Sequence, residues 1–460
     1  MREREAGLFG ELPEMPSGVA ERGGGRPRLR RPVRTQAELV PATLDELVPV
    51  EHRARLVWAF AERLDLAPLY ARIKAVAGHP GHPPADPRLL VALWLYATLE
   101  GVGSARALAR LCEEQIGFRW LAGGVSLNHH TLADFRVAHG AVLEKLLIDG
   151  FTALLATGQA SLDEVAQDGV RVRASAGAAS FRRRARLRQL RAAAAARIDA
   201  LRAELAADPA GASRRQAAAR QRAAAERLAR VDAALGVMDE LAPEEDGRSE
   251  VAGADNEPGA GAGGKPKRAP AAPRVSTSDP QARVMKMADG GFRPAWNAQF
   301  VADTGTSLIA AVEVGNRGSD QPHLAPVSDR LARAYGRRPT RHLVDGGFVR
   351  LEALARLAAQ GSHVYAPVPE PRDPGRDRFA PRPGDPPAIA AWRQRMATAE
   401  AKAIYKHRAA TAELVNAQAR NRGLTRLLVR GREKVKAVLL WFALAHNMMV
   451  GWRLTAASPA

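Results

Sequence analysis

The spacing of apolar residues changes along the chain and predicts different structures in succession. From about residue 44 to 156, segments such as EHRARLVWAFAERL and DPRLLVALWLYATLEG repeat apolar residues every three or four positions, which indicates short helices. Glycines separate these segments, and Asp86 before Pro87 is a typical helix start. The pattern fits a helix-turn-helix module and an ordinary helical bundle about equally well.

Alternating apolar positions predict strands in two later parts of the chain. VAQDGVRVRA, residues 165–174, alternates as a strand does, and strand patterns resume from Val284. There, AWNAQFVADTGTSLIAAVEVG predicts two strands around a turn at Asp303, and helices alternate with the strands RHLVDGGF and SHVYAPVP. An alternation of strands and helices indicates an α/β domain with a mixed sheet and flanking helices.

A helical pattern interrupts these strands over residues 179–274. Two stripes of apolar residues step by three and four: Leu187, Leu190, Ala194, Ile198, Leu201 and Leu205 in the first, and Leu228, Val231, Leu235 and Met238 in the second. Asp208-Pro209 separates the stripes, so we expect an antiparallel helical hairpin followed by a flexible Gly-, Pro- and Ala-rich linker. The hairpin is basic, which suits either a solvated face or an arm that touches DNA.

These patterns divide the chain into five parts. We expect a disordered basic N-terminus at 1–38, an all-α domain at 39–157, an α/β domain at 158–178 and 275–452, the inserted hairpin and linker at 179–274, and a tail at 453–460.

Composition narrows the classes of partner and compartment. The 460 residues carry a formal net charge of +19, which favours a polyanionic binding partner. Nucleic acid is the first candidate for that partner, and an acidic membrane surface is the second. A single cysteine, Cys112, excludes an internal disulfide framework and a multi-cysteine zinc site. The beginning of the chain lacks a signal-peptide pattern, and the apolar runs are too short or too interrupted to span a bilayer. We therefore expect a cytoplasmic protein without a membrane partner.

Three acidic residues are the candidates for chemistry. Asp168 and Asp345 each follow an apolar strand segment and precede a glycine, while Glu413 lies in the helical segment IYKHRAATAELVNAQARNRGLTRLLVRG. Functional groups of α/β proteins gather at strand ends, and carboxylates suit Mg²⁺, which prefers oxygen ligands. The competing interpretation is that each Asp-Gly pair is a hairpin turn, because both residues tolerate positive φ.

Cations surround Glu413 in the sequence. Tyr405, Arg408 and Arg420 lie near whole-turn spacings from it, and Arg422, Arg426 and Arg430 follow. One hypothesis is a metal-binding acid among arginines that bind phosphate. The alternative is a solvent-exposed basic helix in which Glu413 is an intrahelical partner of its arginines.

Three blocks in this order resemble the DDE transposases of bacterial insertion sequences. They are STSDPQARVMKMADGGFRPAWNAQFVADT, HLVDGGFV and YKHRAATAELVNAQARNRGLTRLLVRG, and the segment around TLADFR resembles the InsH-like N-terminal domain of that family. The resemblance extends from about residue 44 to 452.

The resemblance implies that the all-α domain at 39–157 binds DNA and that the α/β domain is a ribonuclease-H-like catalytic domain. Its triad Asp168, Asp345 and Glu413 would bind Mg²⁺ or Mn²⁺. The resemblance also implies that Tyr405, Arg408 and Arg420 match the family signature Tyr-x-x-Arg…Glu-x6-Lys, with arginine in place of lysine. Four residues separate Arg408 from Glu413, where three are typical.

The same resemblance implies the partners and the reaction. The partners would be the transposon's terminal inverted repeats and target DNA, bound by a homodimer at the bacterial nucleoid. Metal-dependent cleavage at the element's ends would free a 3′-OH, which then attacks the target. Two alternatives remain open, a related metal-dependent nuclease or resolvase without strand transfer, and an inactive DNA-binding protein derived from a transposase.

Overall fold

The computed structural model describes residues 42–75, 83–208, 213–253, 272–371, 373 and 375–457. The predicted disordered N-terminus at 1–38 and the linker residues 254–271 lie outside the described residues.

In the described part of the chain, seven helices precede the first strand, as the apolar spacing predicted. They are α1 (Arg53–Arg63), α2 (Ala67–Tyr70), α3 (Pro87–Leu99), α4 (Ala105–Glu114), α5 (Ile116–Ala122), α6 (His129–Ala138) and α7 (Gly140–Ala156). Asp86 caps α3 by accepting a hydrogen bond from the Arg88 amide at 2.8 Å. Helix α3 is apolar on every side because it lies inside the protein, where eleven of its thirteen residues are buried.

The inserted helical hairpin follows the first strand, and its two ends lie next to each other. Strand β1 (Glu164–Arg173) is followed by β2 (Phe181–Arg182), α8 (Arg184–Ala207), α9 (Arg214–Gly253) and β3 (Val275–Ser276). Leu187, Ala194 and Leu201 of α8 are buried, in the predicted stripe. An antiparallel ladder between β2 and β3 closes the base of the hairpin.

The remaining elements alternate as predicted. They are β4 (Arg283–Lys286), β5 (Phe292–Asp303), β6 (Ile309–Gly315), α10 (Leu324–Tyr335), β7 (Arg341–Leu343), α11 (Leu351–Ala359), β8 (His363–Tyr365), α12 (Pro387–Ala397), α13 (Ala399–Arg408), α14 (Leu414–Asn421) and α15 (Arg432–Ala457). A π-helical turn, Ala409–Glu413, joins α13 to α14.

Six strands of the described residues form one mixed sheet. Strand β5 lies antiparallel to β1 on one edge and to β4 and β6 on the other, while β7 and β8 continue the sheet in parallel from β1. The sheet and its helices agree with the expected mixed α/β architecture.

Helix α15 holds the N-terminal helices and the sheet together. It contacts α3, α6 and α7 on one side and β6 on the other. By length and composition this helix could cross a membrane, so the expectation that every apolar run is too short or too interrupted was wrong for it. However, 72% of its most apolar window is buried inside the protein, as in the core helix of a globular fold. It extends to Ala457, into the range expected to be a tail.

The hairpin-turn interpretation of the two Asp-Gly pairs is wrong. Strand β1 continues through Asp168 and Gly169, which pair with Phe300 and Gln299 of β5. Asp345 instead caps a short 3₁₀ turn, Gly346–Phe348, that leads from β7 into α11. The Asp303 turn, in contrast, does join the two antiparallel strands β5 and β6.

Candidate active site

The parallel register of β1 and β7 brings Asp168 and Asp345 together. Ala166 of β1 pairs with Leu343 of β7, and each aspartate lies two residues beyond its member of that pair. Because side chains alternate along a strand, a step of two residues keeps each carboxylate on the face of its paired residue. The last pair of this ladder is Ala166 with Leu343, so both aspartates lie just beyond the carboxyl end of the parallel pairing, where α/β sheets commonly bind ligands. We call this place, between Asp168 and Asp345, the crevice.

Asp168 is a largely buried carboxylate held from two directions. Its Oδ1 accepts from the Gly169 amide at 2.9 Å, and its Oδ2 accepts from the Asn416 amide nitrogen of α14 at 3.0 Å. Burial raises the pKa of Asp168, and the neighbouring charges of Asp345 and Asp320 raise it further, while Arg408 and the Gly169 amide lower it. The net direction is upward, so this carboxyl takes up a proton more readily than an exposed aspartate.

Arg408 joins the two predicted catalytic aspartates. Its Nη2 lies 3.6 Å from Asp168 Oδ1 and 3.9 Å from Asp345 Oδ2. Tyr405 lies one turn earlier on α13 and packs against the core formed by β7, β8, α11 and α12. Burial raises the pKa of the Tyr405 phenol, Arg408 lowers it, and the charges of Asp345 and Asp168 raise it. The structure therefore assembles Asp168, Asp345, Tyr405 and Arg408 in one place.

A second set of polar side chains, which the sequence interpretation missed, lies beside Gly169. Asp320 Oδ1 accepts hydrogen bonds from Asn297 Nδ2 at 2.6 Å and from Gln299 Nε2 at 2.7 Å. Asn297 and Gln299 are fully buried, on one face of β5. The signal was present in AWNAQF, where the amides Asn297 and Gln299 interrupt an apolar stretch of the strand.

This amide cluster continues through the sheet as a buried chain of hydrogen bonds. Gln299 accepts from Gln167 Nε2 at 3.0 Å, and Gln167 Oε1 lies 3.0 Å from His342 Nε2 of β7. Burial lowers the pKa of His342 to about 4, so the imidazole is neutral and donates to the Gln167 oxygen. The chain of hydrogen bonds links β5, β1 and β7, the strands that carry the site.

Glu413 lies on the helical segment that touches Asp168, but no contact between Glu413 and either aspartate is present among the described residues. The side chain is exposed at the end of the π turn, between Arg408 and Asn416, which both reach Asp168. A π turn contains about one residue more than an α turn. It therefore absorbs the additional residue between Arg408 and Glu413 and keeps them one turn apart.

The other predicted DNA-binding residues spread beyond this crevice. Arg420 is exposed near the end of α14, and Arg426 is exposed in the segment that follows it. Arg422 is half-buried, and Arg430 is exposed with its charge near Asp279. Trp296, in the first of the three blocks, is buried and donates to Asp279 at 3.1 Å.

The donors at the crevice suit a hard cation, although they do not form a complete cage. Asp168 and Asp345 offer carboxylate oxygens and already share the positive charge of Arg408. Within the described residues, no group of three or more His, Cys, Asp or Glu side chains is arranged to hold a metal ion. Mg²⁺ keeps several waters and is often bound by one or two carboxylates, so two aspartates fit its chemistry.

Two segments of the chain match known family models. Residues 42–138 match the family described as Transposase domain (DUF772), and residues 387–450 match the family described as Transposase DDE domain. No curated protein and no solved structure matches the chain significantly. The second segment contains Tyr405, Arg408 and Glu413, whereas Asp168 and Asp345 lie outside both.

Proposed function

The chain is a DDE transposase of the insertion-sequence type, and from that premise we propose that the Asp168–Asp345 crevice is its DNA-cleaving site. The observation that carries the proposal is the β1–β7 register, which sets two carboxylates side by side at the end of a parallel ladder. Glu413 is proposed as the third acid, since the residues one turn to either side of it contact Asp168.

Each residue of the crevice has a proposed part in binding or orienting the scissile phosphate. Asp168 is held in one orientation by Gly169 and Asn416, so its outer lone pairs face the crevice. Arg408 neutralises part of the repulsion between the two aspartates and offers its remaining N–H groups to a phosphate oxygen. Tyr405, packed on its apolar side, directs its hydroxyl towards the same charges.

DDE transposases generally use divalent metal ions, and Asp168, Asp345 and Glu413 would hold Mg²⁺ or Mn²⁺. A cation bound there would polarise the phosphodiester and make an attacking hydroxyl more acidic. The protein's own contribution is the Arg408 guanidinium, which opposes the rise in the pKa of Asp168 that burial causes, and the packing that shields the inner side of that carboxylate from bulk water.

The wider assembly is also part of the proposal. The mixed sheet with helices on its faces is compatible with a ribonuclease-H-like domain, and helices α1–α6 are proposed to read the terminal inverted repeats. Arg420, Arg422, Arg426 and Arg430 supply positive charge for the DNA backbone. Because two transposon ends must meet before joining to a target, we propose a homodimer that acts at the bacterial nucleoid.

The test uses the purified full-length protein with duplexes that carry the ends of its own element. Cleavage and joining of a pre-cut 3′-OH end to a target plasmid are measured with Mg²⁺, with Mn²⁺ and with EDTA. Asp168→Asn, Asp345→Asn and Glu413→Gln are each expected to lower both rates by about 100-fold or more, and EDTA is expected to abolish them. Asp199→Asn on α8, whose side chain is 72% exposed, is the matched control.

The outcomes separate the alternatives. Metal-dependent cleavage without any joined product would indicate a nuclease or resolvase, and DNA binding without cleavage would indicate an inactive derivative. Full activity of Glu413→Gln alongside inactive Asp168→Asn would remove Glu413 from the site and leave the two aspartates.

A further inference from the structure

A small recess lies where the two transposase-matched segments meet. Its lining comes from the turn after α3, from Arg136 of α6 and from the segment between α14 and α15. Gly101 and Gly423, both with positive φ, bring the two backbones together, and a Cβ at Gly423 would lie 3.2 Å from the Gly101 carbonyl oxygen. Gly103 leaves the space beside Arg136 open, because it has no side chain.

Arg136, the arginine of TLADFR, is a buried cation for which the described residues provide no acidic partner. Its side chain donates to the Gly103 carbonyl at 2.5 Å and stacks on Trp94 with 4.7 Å between guanidinium carbon and ring centre. Its Nε is buried and has no hydrogen-bond partner among the described residues. Glu100, close to the recess in sequence, is paired with Arg53 at 2.8 Å.

Two more guanidiniums line the same recess. Arg422 is half-buried, and its pKa is lowered by burial and by the nearby charges of Arg53 and Arg453. Arg426 is exposed, and its backbone forms a β-bridge with Arg173 at the end of β1. Burying a cation without an anion beside it lowers the stability of the folded protein. Arginine side chains are well suited to bind the oxygens of a phosphate, because each can donate two parallel hydrogen bonds.

We propose that this recess binds one phosphate group of the DNA backbone, held by Arg136, Arg422 and Arg426. The proposal rests on the proposed function, because it takes DNA as the source of that phosphate. The exposed Arg426 adjoins the end of β1, the strand that carries Asp168. A DNA strand that crosses the recess would therefore continue towards the catalytic sheet. The phosphate would then connect the N-terminal helices to the catalytic part of the same chain.

The first measurement is thermal unfolding of the full-length protein, without divalent ions, in inorganic phosphate or sulfate against chloride at equal ionic strength. The oxyanions are expected to raise the Tm by at least about 2 °C, since a ligand that binds only the folded state stabilises it. Gly103→Val fills the recess without changing any charge, and Arg422→Gln with Arg426→Gln removes two cations at its mouth. Both variants are expected to lose the shift, while Gly177→Ala and Arg333→Gln keep it.

The second measurement identifies the source of the phosphate. Binding of a short duplex is followed against salt concentration, again without divalent ions. The slope of log K against log salt is negative, and Gly103→Val is expected to make it less negative by about 1, the value for one lost phosphate contact. Inorganic phosphate is expected to compete with the duplex in the unsubstituted protein and not in Gly103→Val.

The possible failures are distinct from one another. Equal melting in phosphate, sulfate and chloride would overturn the proposal altogether. An oxyanion shift that Gly103→Val abolishes without any change in duplex binding would overturn the assignment to DNA and leave a site for a free oxyanion. Neither result depends on cleavage, so the chemistry of Asp168 is judged separately by its own variants.

Discussion

Replacement of Gly169 by alanine tests whether the amide cluster holds the catalytic strand in place. An alanine Cβ at this position would lie 2.3 Å from Gln299 Nε2, 2.4 Å from Asp320 Oδ1 and 2.7 Å from Asn297 Oδ1. All three distances are below the 3.0 Å that real Cβ atoms essentially never cross, so these side chains must move. Their movement breaks the two hydrogen bonds to the Asp320 carboxylate.

The expected cost follows from those two bonds. A hydrogen bond to a charged group contributes about 1.5–3 kcal/mol, and the two amides would remain buried after Asp320 leaves. Some relaxation of Asp320 towards solvent offsets part of this loss. We therefore expect Gly169→Ala to lower the free energy of unfolding by about 3 kcal/mol or more, and to slow cleavage because Gly169 also donates to Asp168.

The assay is urea denaturation followed by far-UV circular dichroism. Gly177→Ala is the control, because no heavy atom lies within 4 Å of the added Cβ. We expect this control to stay within about 1 kcal/mol of the original protein. Asp320→Ala is expected to cost less stability in the Gly169→Ala protein than in the original protein, since both changes remove the same hydrogen bonds. A Gly169→Ala protein as stable as the control would refute the reasoning.

Three further predictions concern other parts of the molecule. Gly423→Ala is expected to lower the free energy of unfolding by about 1–2 kcal/mol, because the φ of Gly423 is +87° and the added Cβ would crowd Gly101. Thermal unfolding tests this, and an unchanged Tm would contradict it. Arg408→Gln removes a cation that lowers the pKa of Asp168, so the acidic limb of the cleavage pH profile should move to higher pH, whereas Arg408→Lys should move it less. Burial lowers the pKa of His342 from 6.5 to about 4, so its contribution to stability is complete above pH 6.5 and is lost as the pH falls towards 4. Denaturation at pH 5 should give about 2 kcal/mol less stability from this group than at pH 8, and His342→Gln should flatten that dependence.

The sequence predicted the elements well because their signals are local. The strand that contains Asp168, the hairpin at Asp303 and the apolar stripe of α8 all follow from residues within a few positions of one another. Asp168 and Asp345 were chosen for the same reason, as carboxylates at the ends of apolar segments. Their proximity depends on the register of two strands about 175 positions apart, which a local pattern does not contain.

The features that were missed or misjudged depend on contacts across the fold. Asp-Gly in β1 has the local signature of a turn, but pairing with β5 keeps it extended. Asp320 follows a loop that contains glycine and serine, and its part in the amide cluster is visible only from its hydrogen bonds with Asn297 and Gln299. Arg408 was assigned to DNA from its place in a basic helix, and its nearness to two aspartates could be seen only in three dimensions.

The short ladder between β2 and β3 has a consequence for how this protein can vary in length. Phe181 pairs with Ser276, so the residues on either side of the helical hairpin are neighbours in space. The distance that any replacement segment must bridge is therefore fixed and small, whatever the segment's size, and longer loops add only slowly to the entropy of closure. We therefore expect that exchanging the hairpin for a shorter turn or for a foreign domain would keep the pairing of β1 with β5.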